Sequence, residues 1–263
     1  MARTGVVLLH GLRASSSLWR RQIEVLTDLG HPVRSPDFPG HGEWRGQRFT
    51  TEAAVAVVEE AAQELTADGT PVLVVGQSLG GYVGLHWAAG TALPVAGVLA
   101  AACSTEPSAV TVGGYRLVAG AIGMLPDRGA WLNERTARLA LPPEGLRDLA
   151  AGGFALDVMQ DTLRSVRRLH PIADIRALGA TPVWIVNGAR DHFRMQERAY
   201  LAAAHNGRLV VVPGVKHLVS LEAPVTFTRV LLEMLAAVGG GDAAPVSGER
   251  RERVADAASA PGG

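Results

Sequence analysis

The sequence contains one cysteine, Cys103, and therefore no internal disulfide, so a reducing compartment is expected. Its basic and acidic residues balance at 25 each, which leaves no excess charge for binding nucleic acid or an anionic membrane. No window approaches the roughly 18 consecutive apolar residues that span a bilayer. The first residues, MARTGVVLLHG, lack the basic, apolar and small-residue regions of a signal peptide. These absences predict a cytoplasmic protein without nucleic-acid or membrane partners.

The apolar residues that the chain does have are arranged in short runs. Hydrophobic residues make up 48% of the 263 residues, enough for one large domain. Runs that are apolar on both faces predict buried strands at residues 5–9, 32–35, 72–75, 95–102, 183–186 and 209–212. Helical patterns alternate with them at residues 18–29, 51–67, 80–89, 196–204 and 224–238. This alternation predicts an α/β fold with a doubly wound, mainly parallel sheet.

The alternation stops between residues 104 and 170. This region contains amphipathic stretches separated by prolines and has no convincing strand pattern, so it predicts a helical cap inserted after the fourth predicted strand. The core would then consist of residues 1–103 and 171–238. Residues 239–263 are rich in Gly, Ala, Pro and charge, with too little apolar surface to pack, and we expect a disordered tail.

A short motif follows the third predicted strand. Residues 76–80 read GQSLG and match G-x-S-x-G between a strand and a helix. Such a sharp turn needs small residues at its ends, because strand and helix approach closely there. It would present the hydroxyl of Ser78 at the carboxyl edge of the sheet and at the positive end of a helix. The alternative is a structural turn without chemistry, because short Gly-Ser sequences often arise by chance.

A serine hydroxyl becomes a nucleophile only beside a base that is itself oriented by an acid. His217 follows the last predicted strand of the core, and Asp191 follows the strand before it. Both loops lie at the carboxyl ends of strands, the same edge as Ser78, where open α/β sheets place their sites. The chain order Ser, Asp, His is the order typical of this kind of site. The three residues together predict a catalytic triad.

With these residues in place, the sequence resembles the α/β-hydrolase superfamily, in particular its capped branch of serine esterases, lactonases and C–C bond hydrolases. The resemblance covers residues 5–103 and 170–238, and the segments that carry it are HGL at 10–12, DFPGHG at 37–42, GQSLG at 76–80, NGARD at 187–191, and His217 with EAP at 222–224. It implies a parallel sheet, a helical cap and a Ser-His-Asp triad. Gln77 stands where many relatives have histidine, and we expect this to affect packing beside the turn.

The resemblance also implies two donors for the developing oxyanion, the backbone N–H groups of Leu12 and Leu79. It implies a cofactor-independent hydrolase that cleaves a carboxylic ester or related acyl bond through an acyl-enzyme. Lactone, thioester and C–C bond cleavage on the same triad remain open, as does a ligand-binding or non-hydrolytic role. No metal-ligand spacing and no phosphate-binding glycine loop occurs, so no cofactor and no metal are expected.

Candidates for the wall of an apolar acyl pocket come from the cap and from an early helix. They are Trp19, Met124, Trp131 and Met159, which could equally be helix-packing residues. The length of the cap favours a closed pocket for a small or medium apolar acyl substrate. Among the other histidines, we expect His10 to brace the oxyanion loop and His192 to point away from Asp191.

Overall fold

A computed structural model describes residues 3–125, 127 and 129–239, together with the backbone of residues 251–253. Its sheet has the strand order β2-β1-β3-β4-β5-β6-β7, and every neighbouring pair is parallel. The strands are β1 (Gly5–Leu9), β2 (Val33–Arg34), β3 (Val72–Gln77), β4 (Val95–Ala101), β5 (Val183–Gly188), β6 (Gly207–Val212) and β7 (Arg251–Arg253). The predicted α/β fold with a parallel sheet is confirmed.

Helices connect successive strands and cover both faces of the sheet. They are α1 (Arg20–Asp28), α2 (Thr51–Thr66), α3 (Leu79–Gly90), α4 (Ala109–Gly123), α5 (Ala130–Ala140), α6 (Pro143–Ala151), α7 (Met159–Val166), α8 (Pro171–Ala177), α9 (Glu197–Ala203), α10 (Val219–Glu222) and α11 (Pro224–Gly239). The predicted insertion after the fourth strand contains α4 to α7, and we call this region the cap. Its outer limits at residues 104 and 170 remain a prediction.

The strands are buried on both faces, as their apolar runs predict. Side chains of β1 and β3 alternate between two hydrophobic layers. One layer packs against α2, α3, α8 and α9, and the other against α1, α10 and α11. Burial on both faces holds the carboxyl ends of the strands at one rigid edge, where the functional loops emerge.

A few residues of the expected disordered tail, residues 239–263, are described, and the expectation of disorder stays a prediction. Gly239 is the last residue of α11, and Arg251–Arg253 pair with β6 as the edge strand of the sheet. The other tail residues, 240–250 and 254–263, lie outside the described residues. Within the described part of the chain, no helix has the length and apolar character needed to cross a membrane.

Candidate active site

Ser78 occupies a strained turn between the end of β3 and the start of α3. Its backbone has φ 54° and ψ −111°, a left-handed conformation that costs a non-glycine residue on the order of 1–3 kcal/mol. Its N–H donates to the carbonyl of Ala101 in the neighbouring strand β4 over 2.7 Å. A Cβ on Gly76 would collide with the backbone of Gly80, and one on Gly80 with the carbonyl of Leu9. The two glycines therefore permit the turn that exposes the serine.

The structure brings Ser78, His217 and Asp191 together. The Oγ of Ser78 lies 3.0 Å from Nε2 of His217, and Nδ1 of the same ring lies 3.0 Å from Oδ1 of Asp191. Because a carboxylate only accepts, Nδ1 carries the proton and donates it to Asp191. Nε2 is then left unprotonated and can accept the proton of the Ser78 hydroxyl.

Asp191 is itself held in place by the loop that follows β5. Its Oδ1 also accepts the N–H of Phe193 over 2.9 Å, and its own N–H donates to the carbonyl of Gly188 over 3.0 Å. The carboxylate is buried, and its Oδ2 finds no partner among the described residues. Both hydrogen bonds to Oδ1 orient the acid toward the imidazole.

Aromatic rings that sequence reasoning missed cover the imidazole of His217. The ring of Phe193 lies 4.9 Å from that of His217 and 5.0 Å from that of Tyr115 in α4, which is stacked on it at 16°. Phe193 thus lies between the base and the cap. The position of Phe193 two residues after Asp191 could have identified it from the sequence as a site residue. Its contact with Tyr115 could not be identified in this way, because that contact depends on how the cap packs on the core.

The expectation that His192 points away from Asp191 is wrong. Its Nδ1 lies 3.7 Å from Oδ1 of Asp191, and its ring lies 5.3 Å from that of His217. Burial, and then the adjacent His217, lower the pKa of His192. The loop after β5 turns back on itself, so consecutive side chains reach the same site.

Gln77, the residue before the serine, does more than pack beside the turn. Its side-chain amide is buried and donates to the carbonyl oxygen of His217 over 2.7 Å. Its Oε1 lies 3.5 Å from the hydroxyl of Ser220, four residues after the start of the histidine loop at Lys216. Gln77 therefore ties the backbone of the base to the backbone of the serine turn.

The predicted oxyanion donors lie on the two segments that flank Ser78. A Cβ on Gly11 would lie 3.5 Å from Cβ of Ser78, so the loop that carries Leu12 packs against the serine. Leu79 is the first residue of α3. Neither N–H donates to another described residue, which leaves both free for a ligand. This placement is compatible with the oxyanion role, which remains a proposal.

His10 braces the loop before Leu12 from inside. Its Nδ1–H donates to the carbonyl of Gly11 over 2.9 Å, and its Nε2 accepts the N–H of Phe38 over 3.0 Å. Burial lowers the pKa of His10, in keeping with the neutral tautomer that these two bonds require. The two hydrogen bonds fix the imidazole of His10 against the loop that carries Leu12.

Three of the four predicted pocket residues do not line a closed pocket. Trp19 is fully buried in the hydrophobic layer below the sheet, its ring 5.7 Å from that of Phe227 in α11. Met124 and Trp131 are 81% and 63% exposed on the outside of the cap. Helical periodicity identifies an apolar face without saying what that face meets, which explains these errors. Met159 is half-buried at the start of α7, and its role as a pocket residue is untested.

Comparison with known proteins places the chain among curated relatives that it matches only in part. Lipase LipV of Mycobacterium tuberculosis is 36% identical over 86 residues, which cover 32% of this chain and 31% of the lipase. The Magnesium-chelatase 30 kDa subunit of Rhodobacter capsulatus is 34% identical over 125 residues, which cover 46% of this chain and 42% of that subunit. The chain thus aligns with less than half the length of either relative.

The likeness to solved structures extends over most of the chain. A thermophilic esterase from Thermogutta terrifontis superposes with a TM-score of 0.72 at 22% identity, covering 90% of this chain and 92% of that one. At this level of identity the likeness shows a shared fold. A family model described as the Alpha/beta hydrolase family matches residues 6–230, a range that includes the serine turn, the acid and the histidine. The chain therefore belongs to the alpha/beta hydrolase family.

Proposed function

We propose that the protein is a serine hydrolase that cleaves a carboxylic ester or a related acyl bond. The observation that carries this proposal is the continuous hydrogen-bonded relay from Ser78 through His217 to Asp191, with both distances at 3.0 Å. The relay combines a nucleophile, a base with an available nitrogen and an acid that selects the tautomer of the base. We also propose a cytoplasmic location and a small-molecule substrate, in keeping with the single cysteine and balanced charge.

The first half of the reaction forms the acyl-enzyme. Nε2 of His217 takes the proton of the Ser78 hydroxyl while Oγ attacks the substrate carbonyl. Asp191 stabilises the imidazolium that forms. The negative charge on the carbonyl oxygen would be held by the N–H groups of Leu12 and Leu79, each worth about 3–4 kcal/mol in such sites. His217 then returns the proton to the leaving group.

The second half reverses these roles with water as the nucleophile. His217 removes a proton from a water molecule, which attacks the acyl-enzyme. The tetrahedral species uses the same pair of N–H donors, and its collapse releases the acid and regenerates Ser78. The balance of atoms requires only water, and every proton passes through Nε2 of His217.

The same geometry serves several acyl substrates. Lactone, thioester and C–C bond cleavage would use the same nucleophile and base, so they remain alternatives within the proposed chemistry. The cap between β4 and α8 contacts the loops at the carboxyl edge of the sheet through Tyr115 and Ala155, and we propose an apolar acyl group of small or medium length. In a series of unbranched esters, catalytic efficiency should reach an optimum at medium length.

A fluorophosphonate probe tests the activated serine directly. Intact-protein mass should show one adduct on the wild type and none on Ser78→Ala, because among the described residues Oγ of Ser78 is the serine oxygen that is hydrogen-bonded to a histidine. His217→Ala should react much more slowly. His205→Ala, which removes an exposed histidine away from the relay, serves as the control and should react like the wild type. A folded wild type that forms no adduct would contradict the proposal.

A non-hydrolytic role is the second candidate. It is favoured by the similarity to a protein named as a subunit of magnesium chelatase, a name that describes a component of an assembly. Such a role would not need an activated Ser78. Normal probe labelling of Ser78 with turnover of simple esters would favour the hydrolase, and an unreactive serine in a folded protein would favour the second candidate.

A further inference from the structure

Arg13 occupies an unusual position directly after the proposed oxyanion donor Leu12. Its backbone has φ 68°, one of the few left-handed conformations at a non-glycine residue among the described positions. Its carbonyl accepts the N–H of Ala155, in the cap segment between α6 and α7, over 3.2 Å. Contact with the cap thus helps hold a strained residue at the junction between core and cap.

The guanidinium of Arg13 reaches across this junction to the cap. Its Nη1–H donates to Oδ1 of Asn133 in α5 over 2.9 Å. Burial lowers the pKa of Arg13, and among the described residues no carboxylate lies close enough to form an ion pair with it. The side chain nevertheless stays accessible to solvent. A solvent-accessible guanidinium that lacks a counter-ion among the described residues is available to an anionic ligand.

Other arginines of the molecule do have carboxylate partners. Arg20 pairs with Asp148, Arg34 with Glu64 and Arg194 with Glu197, whereas Arg116 donates to the neutral amide oxygen of Gln160. Arg13 also faces a neutral amide, but it differs from Arg116 because the Gln160 amide nitrogen donates back to a carbonyl, whereas that of Asn133 has no partner among the described residues.

Asn133 supplies a second unused donor at the same place. The residue is only 9% exposed, and its amide oxygen must face Arg13 because a guanidinium can only donate. The amide nitrogen Nδ2 is therefore fixed on the other side of the same planar group, where it is buried without a partner among the described residues. An unpaired buried donor is unfavourable unless a ligand supplies the acceptor.

We propose that Arg13 and Asn133 bind a carboxylate group of the substrate. A carboxylate has only acceptor oxygens, and so it complements the remaining N–H groups of Arg13 and Nδ2 of Asn133. Gly11, two residues before Arg13, packs against Ser78, and two residues span about 7 Å at most. The backbone of Arg13 thus lies near the serine turn, and we infer that the carboxylate belongs to the same substrate molecule that Ser78 attacks. This inference rests on the proposed function and narrows its substrate class to acyl compounds with an anionic end.

The test compares two esters that differ only at the end of the acyl chain. para-Nitrophenyl hexanoate ends in methyl, and mono-para-nitrophenyl adipate ends in a carboxylate at the same chain length. Wild type should prefer the adipate ester in kcat/KM. In Arg13→Asn, a residue type that tolerates the left-handed backbone, this preference should fall about tenfold or more. Asn133→Asp should produce the same loss, because it gives Arg13 an internal counter-ion.

Arg135→Gln is the matched control, since it removes an exposed arginine from the same helix α5. It should leave the preference unchanged. Calorimetry of free adipate binding to wild type, Arg13→Asn and Asn133→Asp needs no turnover. It therefore distinguishes a failure of the proposed hydrolysis from a failure of the proposed carboxylate site. Equal treatment of the two esters by wild type, or a preference that survives both substitutions, would overturn the assignment. If neither ester is hydrolysed, adipate binding that is absent or unaffected by the substitutions would overturn it instead.

Discussion

The side chain of Gln77 donates a hydrogen bond to the backbone carbonyl of His217 over 2.7 Å, across 140 residues of sequence. This bond joins the serine turn to the histidine loop without touching either reacting atom. The Gln77 amide itself is fully buried. We therefore infer that Gln77 positions His217, the proposed base.

Gln77→Glu should lower kcat about tenfold to a hundredfold while KM changes little. An ionised carboxylate cannot donate to the carbonyl of His217, and a small displacement of the base is costly in rate. Steady-state kinetics on a simple ester measure the split between kcat and KM. Gln63→Glu, on the exposed face of α2, is the control and should match the wild type. A rise in KM with unchanged kcat would contradict the positioning role.

Gly80→Ala should destabilise the protein by about 1–3 kcal/mol, because the added methyl meets the carbonyl of His10 at 2.8 Å and that of Leu9 even more closely. Urea unfolding gives the free energy. Gly113→Ala in α4 is the matched control, since an added Cβ there meets nothing within 4 Å. This variant should be neutral or more stable by up to about 1 kcal/mol. Equal effects of the two changes would refute the steric account of the turn.

His41 should make the fold less stable as the pH falls. Burial first, and then the nearby His10, lower the pKa of His41 to about 3. The unfolded chain has a histidine pKa of about 6.5, so below that pH the unfolded state binds the extra proton. The free energy of unfolding should then fall by up to about 1.4 kcal/mol per pH unit for this residue between pH 6.5 and 3.

Urea unfolding of wild type and His41→Phe between pH about 5 and 7 separates this contribution from carboxylate titration. The aromatic replacement keeps the contact with Phe49, whose ring lies 6.1 Å from that of His41. Its pH dependence should be shallower than that of the wild type. Identical slopes would show that His41 does not carry the effect.

Tyr115→Ser should lower kcat/KM about twofold to tenfold, because it removes the stacking partner that holds Phe193 over His217. Tyr115→Phe keeps the ring and should restore the wild-type value. The rate of fluorophosphonate labelling gives a second measure of the activated serine. Trp131→Ser alters an exposed ring elsewhere on the cap and is the control. An equal loss in the control would assign the effect to the cap as a whole.

The parallel sheet and the meeting of Ser78, Asp191 and His217 could be predicted because they depend on local signals. Apolar runs mark the strands, and the loops carrying Asp191 and His217 must emerge at the edge where β3 ends. Contacts across the cap could not be predicted in this way. The burial of Trp19 against Phe227, the stack of Tyr115 on Phe193 and the exposure of Trp131 depend on how helices pack, which periodicity does not determine.

The prediction that His192 points away from Asp191 failed for a related reason. Alternation along an extended segment predicts that neighbours point apart, but the loop after β5 is not extended. Gln77 was identified as a departure from the family pattern, and its partner lies on a distant loop. Sequence reasoning thus brought Ser78, Asp191 and His217 to one edge of the sheet but missed the side chains around them.

The left-handed backbone of Ser78 sets an evolutionary trade-off between stability and activity. Glycine adopts φ 54° at little steric cost, so a glycine at this position would relieve strain and remove the nucleophile in one step. Selection for stability alone would therefore favour an inactive chain. Under the proposed function, the backbone strain at Ser78 is the structural condition for presenting its hydroxyl to His217.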